Sequence, residues 1–109
     1  MFVAVYRWRA RPEHEDAFRA SWRRITEIIT ERCGSGGSQL FRAGDATLVA
    51  LALWPSPEAR ERCFATAPFD VEAGAIMRAA TLETYDDLEL DSLDNLWTNR
   101  PWWTPPPGR

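Results

Sequence analysis

Thr47-Leu48-Val49-Ala50-Leu51-Ala52-Leu53-Trp54 is apolar on both faces when it is read as a strand. Successive side chains of a strand point to opposite sides. Val49, Leu51 and Leu53 face one way; Leu48, Ala50, Ala52 and Trp54 face the other. Both faces need cover, and the rest of the chain offers helices for only one.

Working outward, Phe2 to Arg9 reads as a strand with Phe2, Ala4, Tyr6 and Trp8 on one face and Val3, Val5, Arg7 and Arg9 on the other. Pro12 suits the first turn of a helix, where its missing N–H costs nothing. Glu13, Glu15 and Asp16 complement the positive end of that helix. Phe18, Trp22, Ile25 and Ile29 recur at helical spacing as one inward stripe. Gly34 stops the helix, and Gly36-Gly37 continue the loop. Ser38 to Ala43 is a second strand, and Gly44-Asp45 turns it into the Thr47–Trp54 strand as a hairpin.

Ser56-Pro57-Glu58 caps a helix running to about Thr66. Pro68 interrupts, Asp70 caps again, and Val71 to Ala80 forms a further helix with Ala73, Ile76, Met77 and Ala80 inward. Leu88 and Leu90 alternate with Asp87, Glu89 and Asp91, which places a fourth strand near Tyr85 to Trp97, bulged or bent at Ser92-Leu93. The order β-α-β-β-α-β predicts an α+β, ferredoxin-like fold: a four-stranded antiparallel sheet with its helices on one face. On the other face about five large aliphatic side chains remain. Leaving them wet forfeits roughly 7–15 kcal/mol, comparable to the whole stability of a domain. Burial in a symmetric homodimer is the economical answer.

The chain has 109 residues, 45% of them hydrophobic, and a formal net charge of −3. That length fits one domain over residues 1–97, followed by a Pro/Trp-rich tail, 98–109. An acidic balance is a poor footprint for nucleic acid. All 13 cationic side chains are Arg, which excludes lysine Schiff-base chemistry. No apolar run approaches the ~18 residues of a membrane span, and the N-terminus enters a strand directly, so a cytoplasmic protein is expected. Cys33 and Cys63 lack CxxC spacing, fall in separate helices and read as free thiols. Trp102 and Trp103 of the tail are expected to dock on the body or on a partner.

Val5-Tyr6-Arg7-Trp8-Arg9 followed by Arg11-Pro12 and an aromatic-rich helix resembles the opening of antibiotic-biosynthesis-monooxygenase-like proteins. Ala52-Leu53-Trp54-Pro55-Ser56 and Asp94-Asn95-Leu96-Trp97 are similar to the same family. The resemblance covers about residues 1–97. It implies a dimeric α+β barrel, with two sheets face to face and a pocket between sheet and helices in each subunit. It also implies a cofactor-free monooxygenase of a small aromatic or quinol-like metabolite. The haem-degrading branch needs a histidine, an asparagine and a tryptophan where this chain has about Ala73, Tyr6 and Cys63, so that branch does not fit.

Such an oxygenase needs an apolar pocket, a proton acceptor and a stabiliser of oxyanion charge. Tyr6, Trp8, Trp22 and Trp54 are the candidate wall for a planar ring, with Met77 filling one side. His14, the only histidine, and Tyr6 are the candidate catalytic groups. His14 otherwise reads as an exposed residue in the first turn of a helix. Arg7 and Arg9 are expected to form cross-strand ion pairs with Asp87, Glu89 and Asp91. Arg42 reads as a solvated cation or as a holder of a substrate oxyanion, and Tyr85 as a strand-end residue or a donor into the pocket. No metal cluster, phosphate loop or Ser-His-Asp arrangement is visible, and no cofactor is expected. The alternative function is a non-catalytic dimeric scaffold that binds a small ligand.

Overall fold

The strand that opens the chain becomes the spine of the sheet. The computed structural model describes residues 2–96. In it β1 (Phe2–Ala10) lies between β3 (Leu48–Trp54) on one side and β4 (Thr81–Thr84) and β5 (Leu88–Asp91) on the other. The edge strand β2 (Ser38–Arg42) pairs with β3, and every pairing is antiparallel. A short 3-10 helix, Pro12–His14, leads into α1 (Glu15–Cys33); α2 (Pro57–Phe64) and α3 (Val71–Ala80) follow β3. This is the expected ferredoxin-like α+β arrangement.

The fourth strand is where expectation and structure part. It begins at Thr81, not near Tyr85, and comes in two pieces laid end to end along β1. Thr84 pairs with Trp8, and Leu88 picks up again opposite Val5. Between them, the Tyr85 amide still donates to the Arg7 carbonyl at 3.0 Å. The two pieces together fill one position of a four-position sheet. A register shift at Arg9/Ala10 marks the irregular end. The alternation of Leu88 to Asp91 is readable in the chain; the preceding Thr81-Leu82-Glu83-Thr84 has no clean alternation.

The local signals explain the helices. Gly34 closes α1 in the left-handed region, φ 63°, and its amide donates to the Thr30 carbonyl. Ser56 accepts from the Ala59 amide and Asp70 from the Ala73 amide, so both later helices are capped by their own side chains. Helix α2 ends at Phe64, about half a turn earlier than expected.

Phe2, Ala4, Ala50, Ala52, Leu48 and Trp54 are buried on the helix side of the sheet, with Phe18, Cys63, Ala73 and Ala80 above them. Ile76, expected inward, is exposed because α3 turns Ala73, Met77 and Ala80 to the core instead. On the opposite face Phe41, Leu51, Leu53, Leu88 and Leu90 are exposed in the single chain, while Val5 among them is covered.

The cysteines are a correction. Cys33 and Cys63 form a disulfide that ties the end of α1 to α2. Their sequence spacing is uninformative because the fold, not the chain, brings the two helices together. The reading of the two as free thiols falls with it, and a disulfide does not favour the reducing compartment expected for this chain. Among the described residues, no helix is long and apolar enough to cross a membrane. Residues 97–109, including the expected end of the last strand at Trp97 and the docking of Trp102 and Trp103, lie outside the described residues.

Candidate functional site

Between the helices and the sheet lies a cavity of about 190 Å³. Its floor is Tyr6 and Trp8 of β1 with Ala52 and Trp54 of β3; α1 adds Trp22, Ile25 and Ile29, α2 Phe64 and α3 Met77. The strand period explains the floor. Tyr6 sits opposite Ala50, and Trp8 opposite Leu48, all on the helix side. Ala52 is small, so space is left above it between the larger side chains. The residues named from sequence as a ring-binding wall, Tyr6, Trp8, Trp22, Trp54 and Met77, all line this one cavity.

The aromatic rings are packed at angles. Tyr6 and Trp8 stack at 6.0 Å between centroids. Trp8 meets Phe18 edge-on at 5.3 Å, and Trp54 meets Phe64 edge-on at 5.7 Å. These are favourable offset and T-shaped geometries, so the wall is preformed.

Polar groups at the wall are few. The Tyr6 hydroxyl accepts a hydrogen bond from Arg60 Nε at 2.9 Å. Burial pushes the Tyr6 phenol above its ordinary pKa; the Arg60 hydrogen bond and charge pull against this without cancelling it. The Trp54 indole N–H is near enough to the Tyr6 oxygen to favour its ionised form slightly. It has no partner of hydrogen-bonding geometry, however, and is a buried donor left over. A nearby dipole acts on a charge without forming a bond.

Arg60 carries no mark in the sequence: it is one Arg of thirteen, on a short polar helix, with nothing local to single it out. In the fold its side chain is only 13% exposed. It reaches Asp87 at 2.6 Å and Glu89 at 3.2 Å, and its guanidinium lies over the rings of Tyr6 and Phe64. Burial disfavours its cation, but the bonds to Tyr6 and Asp87 outweigh this and hold it protonated.

Arg60 also accounts for the failure of the expected cross-strand pairs. Leu88 lies opposite Val5 and Glu89 opposite Ala4, so Glu89 points to the helix side while Arg7 is on the open side. Arg7 donates to the Asp86 carbonyl at 3.1 Å and lies over the Tyr85 ring; Arg9 donates to the Asp45 carbonyl at 3.5 Å. Neither forms a carboxylate bridge among the described residues. Arg42 stays on the surface, its side chain 53% exposed, in a bidentate pair with Glu15, and does not line the cavity. Tyr85 does not line the cavity, and neither does His14, which is exposed at the start of α1. Among the described residues, no group of three or more His, Cys, Asp and Glu is placed to hold a metal ion.

No family model matches the sequence, and no curated protein does. Solved structures do match. The cofactor-independent oxygenase SnoaB from Streptomyces nogalater superposes with a TM-score of 0.71 at 18% identity. That match covers 87% of this chain and 95% of SnoaB. Rv0793 from Mycobacterium tuberculosis matches at TM-score 0.70 and 19% identity, over 87% of this chain and 97% of its own. A candidate antibiotic biosynthesis monooxygenase from Caulobacter crescentus CB15 matches at 0.73 and 18%, over 85% and 90%. At such identities it is the backbone that is shared. The likeness read from the Trp54 and Pro12 neighbourhoods thus holds for the architecture: this chain has the fold of antibiotic-biosynthesis-monooxygenase-like proteins.

Proposed function

We propose that the protein is a cofactor-independent monooxygenase of a small aromatic or quinol-like metabolite, working as a homodimer. The observation that carries this reading is the apolar, aromatic-walled cavity between sheet and helices, lined by Tyr6, Trp8, Trp22, Trp54 and Met77. In such a reaction an activated ring CH₂ loses a proton, and the carbanion reduces O₂. One oxygen atom becomes the new ring carbonyl and the other leaves as water, with all electrons coming from the substrate. The protein's part is to hold the ring against an apolar wall and to stabilise the substrate anion. Tyr6, with its raised pKa, is protonated near neutrality and acts there as a donor to that anion, not as a base. The proton therefore leaves to water at the mouth of the cavity. SnoaB, a cofactor-independent oxygenase by name, supports the reading through its fold.

The second copy is assigned to the open sheet face. Leu51, Leu53, Leu88 and Leu90 are exposed there, and the buried Arg7 Nε beside them has no hydrogen-bond partner. One face of a sheet carrying this much apolar surface is a protein interface in most settings.

Oxygen uptake with a panel of dihydroxynaphthalenes and anthrones tests the catalytic reading, and uptake above buffer with at least one member is expected. Tight binding without uptake by any member selects the alternative, a dimeric ligand-binding protein. That second reading is favoured by one observation: among the described residues that line the cavity there is no carboxylate or imidazole.

A further inference from the structure

We propose that the groove between α1 and β2 is a binding site for a small aromatic carboxylate, its anionic end held by Arg19 and Arg23 and its ring laid on Trp22 and Leu40. The site lies outside the aromatic cavity, and its existence does not depend on oxygen chemistry there. The groove measures about 430 Å³, room enough for a small ligand. Its floor is Trp22, Leu40 and Leu48, and its rim is Arg19, Arg23 and Arg42.

Two periods bring these residues together. Arg19, Trp22 and Arg23 stand at i, i+3 and i+4 of α1 and share one face of it. Leu40 and Arg42 of β2 pair with Ala50 and Leu48, so both stand on the helix side of the sheet. Leu48 is buried and Trp22 and Leu40 are half-buried, whereas Arg19 and Arg23 are exposed. An apolar floor under a cationic rim suits a ligand that is oily at one end and anionic at the other.

Charge decides which end is wanted. Among the described residues that line the groove there are three arginines and no carboxylate. Arg42 is paired with Glu15, which also feels the charge of Arg19, and Asp16 acts on Arg42. Among the described residues neither Arg19 nor Arg23 forms a salt bridge. Two like charges one helical turn apart repel, and an anion between them relieves that repulsion. The chain as a whole carries a net charge of −3, so attraction for an anion belongs to this groove and not to the surface at large. A carboxylate also matches the forked donors of a guanidinium. A neutral ring gains only the floor.

The test compares 2-naphthoate with 2-naphthamide by titration calorimetry at pH 7. The two have nearly the same shape and differ by one charge. At low salt wild type is expected to prefer the carboxylate by roughly 5-fold, the worth of a well-placed exposed ion pair. That preference should shrink toward none in about 0.5 M NaCl. Arg19→Gln with Arg23→Gln should erase most of it, with the naphthamide affinity held within about 2-fold. Glu15→Gln releases Arg42 and should widen the preference by about 2-fold. Arg62→Gln, on α2 and outside the groove, should leave it unchanged. The far-ultraviolet spectrum of each variant checks that it is folded. Equal binding of the two compounds by wild type overturns the proposal. So does a preference that survives in the folded Arg19, Arg23 double variant, which would place the anion elsewhere. Binding of neither compound, as when a second copy of the chain fills the groove, overturns it too.

Discussion

Cys33, the last residue of α1, is bonded to Cys63 in α2, with their Cα atoms 5.6 Å apart and a separation of 30 positions in sequence. The bond closes a loop that contains β2 and β3, and it sits at the end of the cavity where Ile29, Phe64 and Phe69 pack. It restricts the unfolded chain more than the folded one. For a loop of this length the loop-closure entropy corresponds to about 3–4 kcal/mol. Cys33→Ser with Cys63→Ser is expected to lower Tm by roughly 10 °C or more, and an excess of dithiothreitol should do the same to the wild type. A melt unchanged in both would show that the bond does not form in solution.

The open face predicts a change of mass. Leu51 sits opposite Gln39 on that face and is exposed in the single chain. Leu51→Asp would bury a carboxylate between two copies, a cost of several kcal/mol, whereas the separate chain leaves it wet. Light scattering should therefore show the dimer mass of wild type halved in the variant, with the far-ultraviolet spectrum retained. A wild type that already scatters as one chain at all concentrations would refute the dimer.

Gly36 is the glycine that matters. It runs beside the end of β3, its amide donating to the Leu53 carbonyl at 2.8 Å. A Cβ on it would come within 2.8 Å of the Leu53 Cβ. Gly36→Ala is expected to destabilise by about 1–3 kcal/mol, as an overpacked contact does. Gly44→Ala, which meets nothing within 4 Å, should be near neutral. Urea unfolding of the pair checks this, and equal midpoints would disprove the close approach.

Three carboxyls carry the acid sensitivity. The Ala73 amide holds Asp70 below its ordinary value of 3.8, the Thr47 amide does so for Asp45, and Arg42 holds Glu15 below 4.5. A depressed folded pKa means stabilisation that is complete above the unfolded value and lost as pH falls through the folded one. The urea midpoint should therefore be level from pH 7 to about 5 and fall progressively below about 4. Asp70→Asn with Glu15→Gln should flatten that fall and lower the plateau at pH 7. A variant with the same acid slope as wild type would place the sensitivity elsewhere.

The cap of α2 gives a smaller, cleaner number. Ser56 Oγ accepts from the Ala59 amide at 3.1 Å. Ser56→Ala should cost about 1 kcal/mol and loosen the helix that carries Arg60. Chemical denaturation measures the first effect. Faster hydrogen exchange of the α2 amides measures the second.

The sequence by itself determined whatever depends on local period and local caps. The Phe18-Trp22-Ile25-Ile29 stripe, the two-sided Leu48–Trp54 strand, the stop at Gly34 and the caps at Ser56 and Asp70 each need only a few neighbouring residues, and each is in place. The face of β1 that carries Tyr6 and Trp8 toward the helices is legible for the same reason. Only the tertiary structure decided that Cys33 meets Cys63, that Arg42 is taken by Glu15, and that Arg60 draws Tyr6, Asp87 and Glu89 together. Those partners lie 27 to 54 positions apart. Whether such groups meet depends on strand register and helix placement, and a one-residue slip in register would have sent Glu89 to the side of Arg7.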